Sequence, residues 1–139
     1  MPSRHKSRAV ALQGLYQKDL VDTNLQDILG FSWYDKPLTQ EQKEFAADII
    51  CGVIENWDLI DTIIVKYSVR KDISRISIVN RNILRIALYG LKFQKEIPYK
   101  IIIDEALEMT REFESENSVM FVNGILDSFV KKELTQDEI

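Results

Sequence analysis

Apolar residues recur at helical spacing along almost the whole chain. The first predicted helix opens at Ser3, a good N-cap residue, and runs to about Asp19. Ala9, Leu12, Leu15 and Tyr16 form its apolar stripe. A short element covers Leu25–Leu29, and residues 30–38, with Trp33, Tyr34 and Pro37, read as a loop. Thr39 followed three residues later by Gln42 has the form of a capping box. The helix it opens carries Phe45, Ile49, Val53 and Trp57 on one side, and Asp58 restarts the pattern with Ile60, Ile63, Ile64 and Tyr67.

A Ser-capped helix over about 77–93 is apolar nearly all round, which marks a helix buried on most sides and central to the fold. Pro98 suits the first turn of the next helix, whose stripe is Ile102, Ile103, Ala106, Leu107, Thr110 and Phe113. Residues 115–118 are a polar break. The last helix carries Phe121, Val122, Ile125, Leu126, Phe129 and Val130, and the acidic tail from Thr135 is expected to fray. Strand-like alternation never exceeds a few residues. The expected fold is all-α: a compact helical bundle of two small subdomains, 1–71 and 72–139, sharing the central buried helix.

A chain of 139 residues fits that size, and 45% apolar with 29% charged residues excludes wholesale disorder. No apolar run approaches the ~18 residues of a membrane span, and the charged N-terminus lacks the apolar core of a secretory signal. One cysteine, Cys51, forms neither an internal disulfide nor a zinc cluster. A reducing, cytoplasmic setting follows.

The net charge of −4 conceals strong segregation. Residues 1–18 carry Arg4, Lys6, Arg8 and Lys18 with no acid; residues 19–61 carry ten acids against two lysines. Residues 62–103 carry nine bases against Asp72 and Glu96, whereas residues 104–116 carry six acids against Arg111. Such blocks allow local electrostatic recognition inside an acidic protein.

Enzyme signatures are mostly missing. The five glycines are isolated, so no phosphate-cradling loop exists. Cys51 on an apolar face reads as a small core residue. Asp104, Glu108 and Glu112 share a helical face, but the carboxylate metal sites of bundles add Glu-x-x-His motifs, and His5 is the only histidine. A solvated acidic face is the expectation, with no metal and no cofactor.

The basic N-terminus is more informative. Stepping back by four from Leu12 gives Arg8 and Arg4, so the buried stripe runs into arginine. Each cation at a helix N-terminus costs roughly 0.3–1 kcal/mol. A polyanion reverses that sign, and arginine forks suit phosphate and the bases of single-stranded RNA. Lys66, Arg70, Lys71 and Arg75 weigh the same way. Arg85, between core-like Leu84 and Ile86, is either a structural ion or a surface charge. Gly124, in Phe121-Val122-Asn123-Gly124, marks either close packing against the central helix or a polar contact edge with Phe121 free to stack on a base.

Three blocks then resemble one family. Arg4-His5-Lys6-Ser7-Arg8 with Ala11-Leu12-Gln13-Gly14-Leu15-Tyr16 is similar to the start of the NusB family. Ile83-Leu84-Arg85-Ile86-Ala87-Leu88-Tyr89-Gly90-Leu91, Ile97-Pro98-Tyr99-Lys100 and Ile103-Asp104-Glu105-Ala106 resemble its central block. Phe121-Val122-Asn123-Gly124-Ile125-Leu126-Asp127 resembles its closing motif. The resemblance implies two helical subdomains, no catalysis, and transcription antitermination. Members bind the boxA element of nascent RNA together with NusE, a small-subunit ribosomal protein, and act with RNA polymerase on ribosomal RNA operons and in ribosome assembly.

By the same resemblance Arg4, His5, Lys6 and Arg8 would bind RNA, Ser118 and Phe121 would lie near it, and Tyr16 and Asn80 would face NusE. His5 and Lys6 stand where the family often has consecutive arginines, which implies heavier reliance on NusE. NusB-like domains also occur fused to ribosomal RNA methyltransferases, for which this length leaves no room. A homodimer is compatible with the resemblance. The alternative function is a helical protein–protein module that does not touch RNA. If the adaptor reading holds, Arg4→Ala with Arg8→Ala is expected to abolish boxA RNA binding in a filter assay and leave helicity unchanged.

Overall fold

The computed structural model describes residues 2–134, with side chains from residue 4 onward. The acidic tail expected from Thr135 lies outside the described residues. Seven α-helices succeed one another: α1 (Pro2–Val21), α2 (Leu25–Leu29), α3 (Gln40–Glu55), α4 (Trp57–Tyr67), α5 (Ile78–Phe93), α6 (Tyr99–Phe113) and α7 (Val119–Glu133). Single 3-10 turns at Ile73–Arg75 and Glu116–Ser118 lead into α5 and α7. There is no strand among the described residues, and no helix is long and apolar enough to cross a membrane.

Local chemistry sets most boundaries. At the capping box the Gln42 amide donates to Thr39 Oγ1 (3.1 Å) and the Thr39 amide donates to Gln42 Oε1 (2.9 Å). Ser77 caps α5 by accepting from the Asn80 amide at 3.0 Å. Three expectations shift by about a residue. Ser3 lies inside the first turn of α1, because Pro2 takes the first helical position that its fixed φ favours. Pro98 is the N-cap of α6 rather than part of its first turn. Trp57 begins α4 instead of ending α3, because the chain breaks at Asn56.

Helix α5 is the hub, as its all-round apolarity requires. It packs against α1, α3, α4, α6 and α7, and every residue from Asn82 to Leu91 is buried. One contact with α3 leaves no room for a side chain. A Cβ on Gly52 would overlap the Tyr89 ring, so glycine is required there by packing. Gly124 meets nothing within 4 Å, so close packing against the central helix is not its reason.

One cation sits in this apolar centre. Arg85 is 2% exposed and engages four of its five guanidinium N–H groups. Nε and Nη2 donate to the two Asp61 carboxylate oxygens on α4, at 2.7 and 2.8 Å. Nη1 donates to Asp19 Oδ2 on α1 (2.7 Å) and to Asn82 Oδ1 (2.9 Å). The Trp57 ring lies 3.8 Å from its guanidinium carbon. Arg81 also grips Asp19, at 2.7 and 3.1 Å. Burial would raise the Asp19 carboxyl, but hydrogen bonds and charge from Arg81 and Arg85 outweigh it and hold the group below its ordinary value. Arg85 is thus a structural ion, not a surface charge, and its acidic partners are Asp19 and Asp61. Arg85→Met strands the part-buried Asp61 carboxylate and leaves Asp19 to Arg81, and is expected to lower stability by about 3–5 kcal/mol, read from urea denaturation.

Candidate nucleic-acid interface

The basic start of α1 lies between α3, α6 and the loop of residues 30–38. Arg4 and Arg8, one turn apart, both lie over the Phe45 ring of α3, with guanidinium carbons 4.7 and 5.4 Å from its centre. They differ in exposure. Arg4 is open to solvent, whereas Arg8 is 4% exposed and 3.9 Å from Glu105 on α6. Burial lowers the Arg8 pKa, with the Glu105 charge opposing and the Arg4 charge reinforcing that shift. Lys6 is half-buried and donates from Nζ to the Pro37 carbonyl at 2.9 Å.

His5 is clamped. Its Nδ1 lies 2.7 Å from Glu105 Oε2 and its Nε2 lies 3.0 Å from Glu112 Oε1. An ionised carboxylate only accepts, and a neutral imidazole has one donor, so both bonds are made together only by imidazolium. The His5 pKa accordingly rises. The Glu105 hydrogen bond is the largest cause, burial opposes it, and Glu112 adds to the rise. The fold itself therefore engages part of the basic terminus, which helix-dipole arguments alone do not anticipate. Two of its four cations, His5 and Arg8, have acidic partners on α6, while Arg4 and Lys6 have none among the described residues. Asp104, Glu108 and Glu112 are all exposed, as expected of a solvated acidic face, and Glu112 in addition pairs with His5. No group of three or more His, Cys, Asp or Glu among the described residues is placed to hold a metal ion.

The remaining predicted residues line neighbouring grooves. Ser118 and Phe121 border a groove of about 400 Å³ together with Arg70, Arg75 and Asn80. The Arg70 guanidinium lies 5.8 Å from the Phe121 ring centre. Asn80 Nδ2 donates to Ser118 Oγ at 3.0 Å, so a residue expected to face a protein and one expected to face RNA share one wall. Asn80 Oδ1 is buried without a partner among the described residues. Tyr16, 36% exposed, borders an apolar groove of about 310 Å³ with Leu12, Trp33, Val79 and Phe113. Gln13 and Phe113 belong both to that groove and to one of about 490 Å³ beside His5, Lys6 and Lys36. In the sequence Arg70 and Arg75 are visible only as a basic run near the boundary between halves; the groove they share with Phe121 joins residues far apart in sequence.

Comparison with known proteins gives concordant matches. The model of the NusB family matches residues 5–131. Transcription antitermination protein NusB of Leptospira biflexa serovar Patoc is 47% identical over 99% of both chains. A crystal structure of NusB from Thermotoga maritima superposes with a TM-score of 0.87 at 37% identity, covering 97% of this chain and 95% of that one. A crystal structure of the antitermination factors NusB and NusE in complex with dsRNA matches with a TM-score of 0.85 at 25% identity, covering 94% and 98%.

Because the folded-state value of His5 lies above the ordinary 6.5, its pairing adds stability that is complete below that pH. That stability disappears as pH rises through the raised value. The stability gap between the natural chain and His5→Gln is therefore expected to be wide at about pH 6 and to narrow as pH rises past the ordinary imidazole range, measured as urea midpoints.

Proposed function

The chain belongs to the NusB family, and from that premise we propose that it is a non-enzymatic, cytoplasmic antitermination factor. It binds boxA-type RNA with NusE in the antitermination complex of RNA polymerase. The observation that carries this reading is the exposed side chain of Arg4 at the tip of a helix whose other end is tied to the central helix, with Lys6 two residues on at the rim of a neighbouring groove. Phosphate contacts there supply affinity and register. The Phe121 face beneath Arg70 and the unpaired Asn80 Oδ1 supply an aromatic surface and a buried acceptor, the two features that base recognition and a protein partner need. Tyr16 and its apolar groove are offered to NusE. The NusB–NusE relative holds dsRNA, so duplex and single-stranded probes both belong in the test.

Arg8 enters this function differently from the sequence-based expectation. Buried over Phe45 and beside Glu105, it supports the seat of α1, so its truncation disturbs structure as well as binding. The discriminating variant is Arg4→Ala with Lys6→Ala. In filter binding of a boxA-type RNA over a salt series, with NusE present, the double variant is expected to bind about tenfold more weakly. Its salt slope should be shallower by about 1.4 for a single strand. Unchanged affinity and slope, with NusE still bound, would identify a protein–protein module instead.

A further inference from the structure

The element proposed to meet RNA already holds an anion of its own. Both imidazole nitrogens of His5 face carboxylate oxygens at 2.7 and 3.0 Å, where phosphate oxygens would otherwise be received. The two carboxylates are not equivalent. Glu105 has a quarter-exposed side chain and a second cation, Arg8, at 3.9 Å. Glu112 is half exposed and His5 is its only ionic partner among the described residues. It also borders the open groove of about 490 Å³ whose rim carries Lys6 and Lys36. The charged groups around the imidazole are Lys6 and Arg8 on its own helix, Glu105 and Glu112 on α6, and Asp35 and Lys36 on the loop of residues 30–38.

We propose that Glu112 is an intramolecular competitor of the RNA phosphate at His5: a displaceable carboxylate that keeps this cation occupied until RNA, seated on Arg4 and Lys6, takes its place. Glu105 stays in position, tied through Arg8 to the core side of α1. The exposed edge of His5 therefore exchanges one anion for another, and breaking the Glu112 ion pair offsets part of the phosphate's electrostatic gain. Specificity improves by this arrangement, because an anion that engages His5 alone gains nothing over the resident carboxylate. The inference rests on the RNA-binding reading of the preceding subsection.

The test is binding of a boxA-type RNA oligonucleotide, with NusE present, at about pH 6 where His5 is protonated. Glu112→Gln is expected to tighten binding about two- to fivefold, the worth of one exposed ion pair. Its salt slope should steepen by up to about 0.7, one further phosphate on a single strand. Glu112→Ala is expected to give the same gain, so that an amide still bonded to His5 does not mask it. Urea midpoints establish that each variant is folded. In a His5→Gln background the gain should vanish. Equal or weaker binding by both Glu112 variants overturns the inference, and so does an equal gain with His5 replaced, which would mean only that one negative charge had been removed. A natural chain that binds no RNA in this assay overturns the functional reading itself, and the competitor with it.

Discussion

Everything else in this bundle is arranged around a buried guanidinium. Arg85 sits where an all-round apolar helix would otherwise have placed another leucine, and it draws Asp19 of α1 and Asp61 of α4 into one ion network. The desolvation of three charges is severe and is answered because four of the five N–H groups of the fork find an oxygen. That demand fixes geometry. Helix α1 has to bring Asp19 to α5 in one register, and α4 has to present Asp61 beside Trp57. An apolar residue of similar size would tolerate sliding, but a bidentate ion does not.

Fixing one end of α1 determines what its other end does. The helix spans Pro2–Val21, so its basic start lies roughly four turns from the locked Asp19. That start emerges between α3, α6 and the loop of residues 30–38. Phe45 and Glu105 take Arg8, Glu105 and Glu112 take His5, and Pro37 takes Lys6. The cations are thereby held in place before any ligand arrives, and preorganisation of this kind lowers the entropy cost of binding. The acids of α6 contribute to the same end. They neutralise the inner cations and leave Arg4 outermost, so attraction for an anion is concentrated at the tip rather than spread along the helix.

The sequence discloses the elements and much less of their pairing. Periodicity places the helices, and the Thr39–Gln42 box and Ser77 cap are readable because capping joins residues three apart. The central position of α5 follows from its composition. The role of Arg85 stays open at that level, since Asp19 and Asp61 lie 66 and 24 residues away. His5 has no carboxylate near it in sequence, for its partners are 100 and 107 residues distant. The glycines show the same limit. Gly124 interrupts a helical pattern conspicuously, yet a Cβ there would meet nothing; Gly52 lies quietly within one and is the position whose side-chain space the Tyr89 ring fills.

Those failures share a cause, and the cause says something about the site. Charge blocks along the chain are legible, but whether a block faces solvent or another block is a tertiary fact. The basic block of residues 1–18 and the acidic block of residues 104–116 meet at His5 and Arg8, and they cancel there only in part. Complete cancellation would leave a structural seam with no affinity for a polyanion. No cancellation would leave four cations repelling one another at a helix end whose dipole already disfavours them. Partial cancellation resolves both problems. It anchors the helix through its inner cations and leaves Arg4 exposed, so a protein of net negative charge carries a small, locally positive tip, the feature on which the proposed phosphate contacts rest.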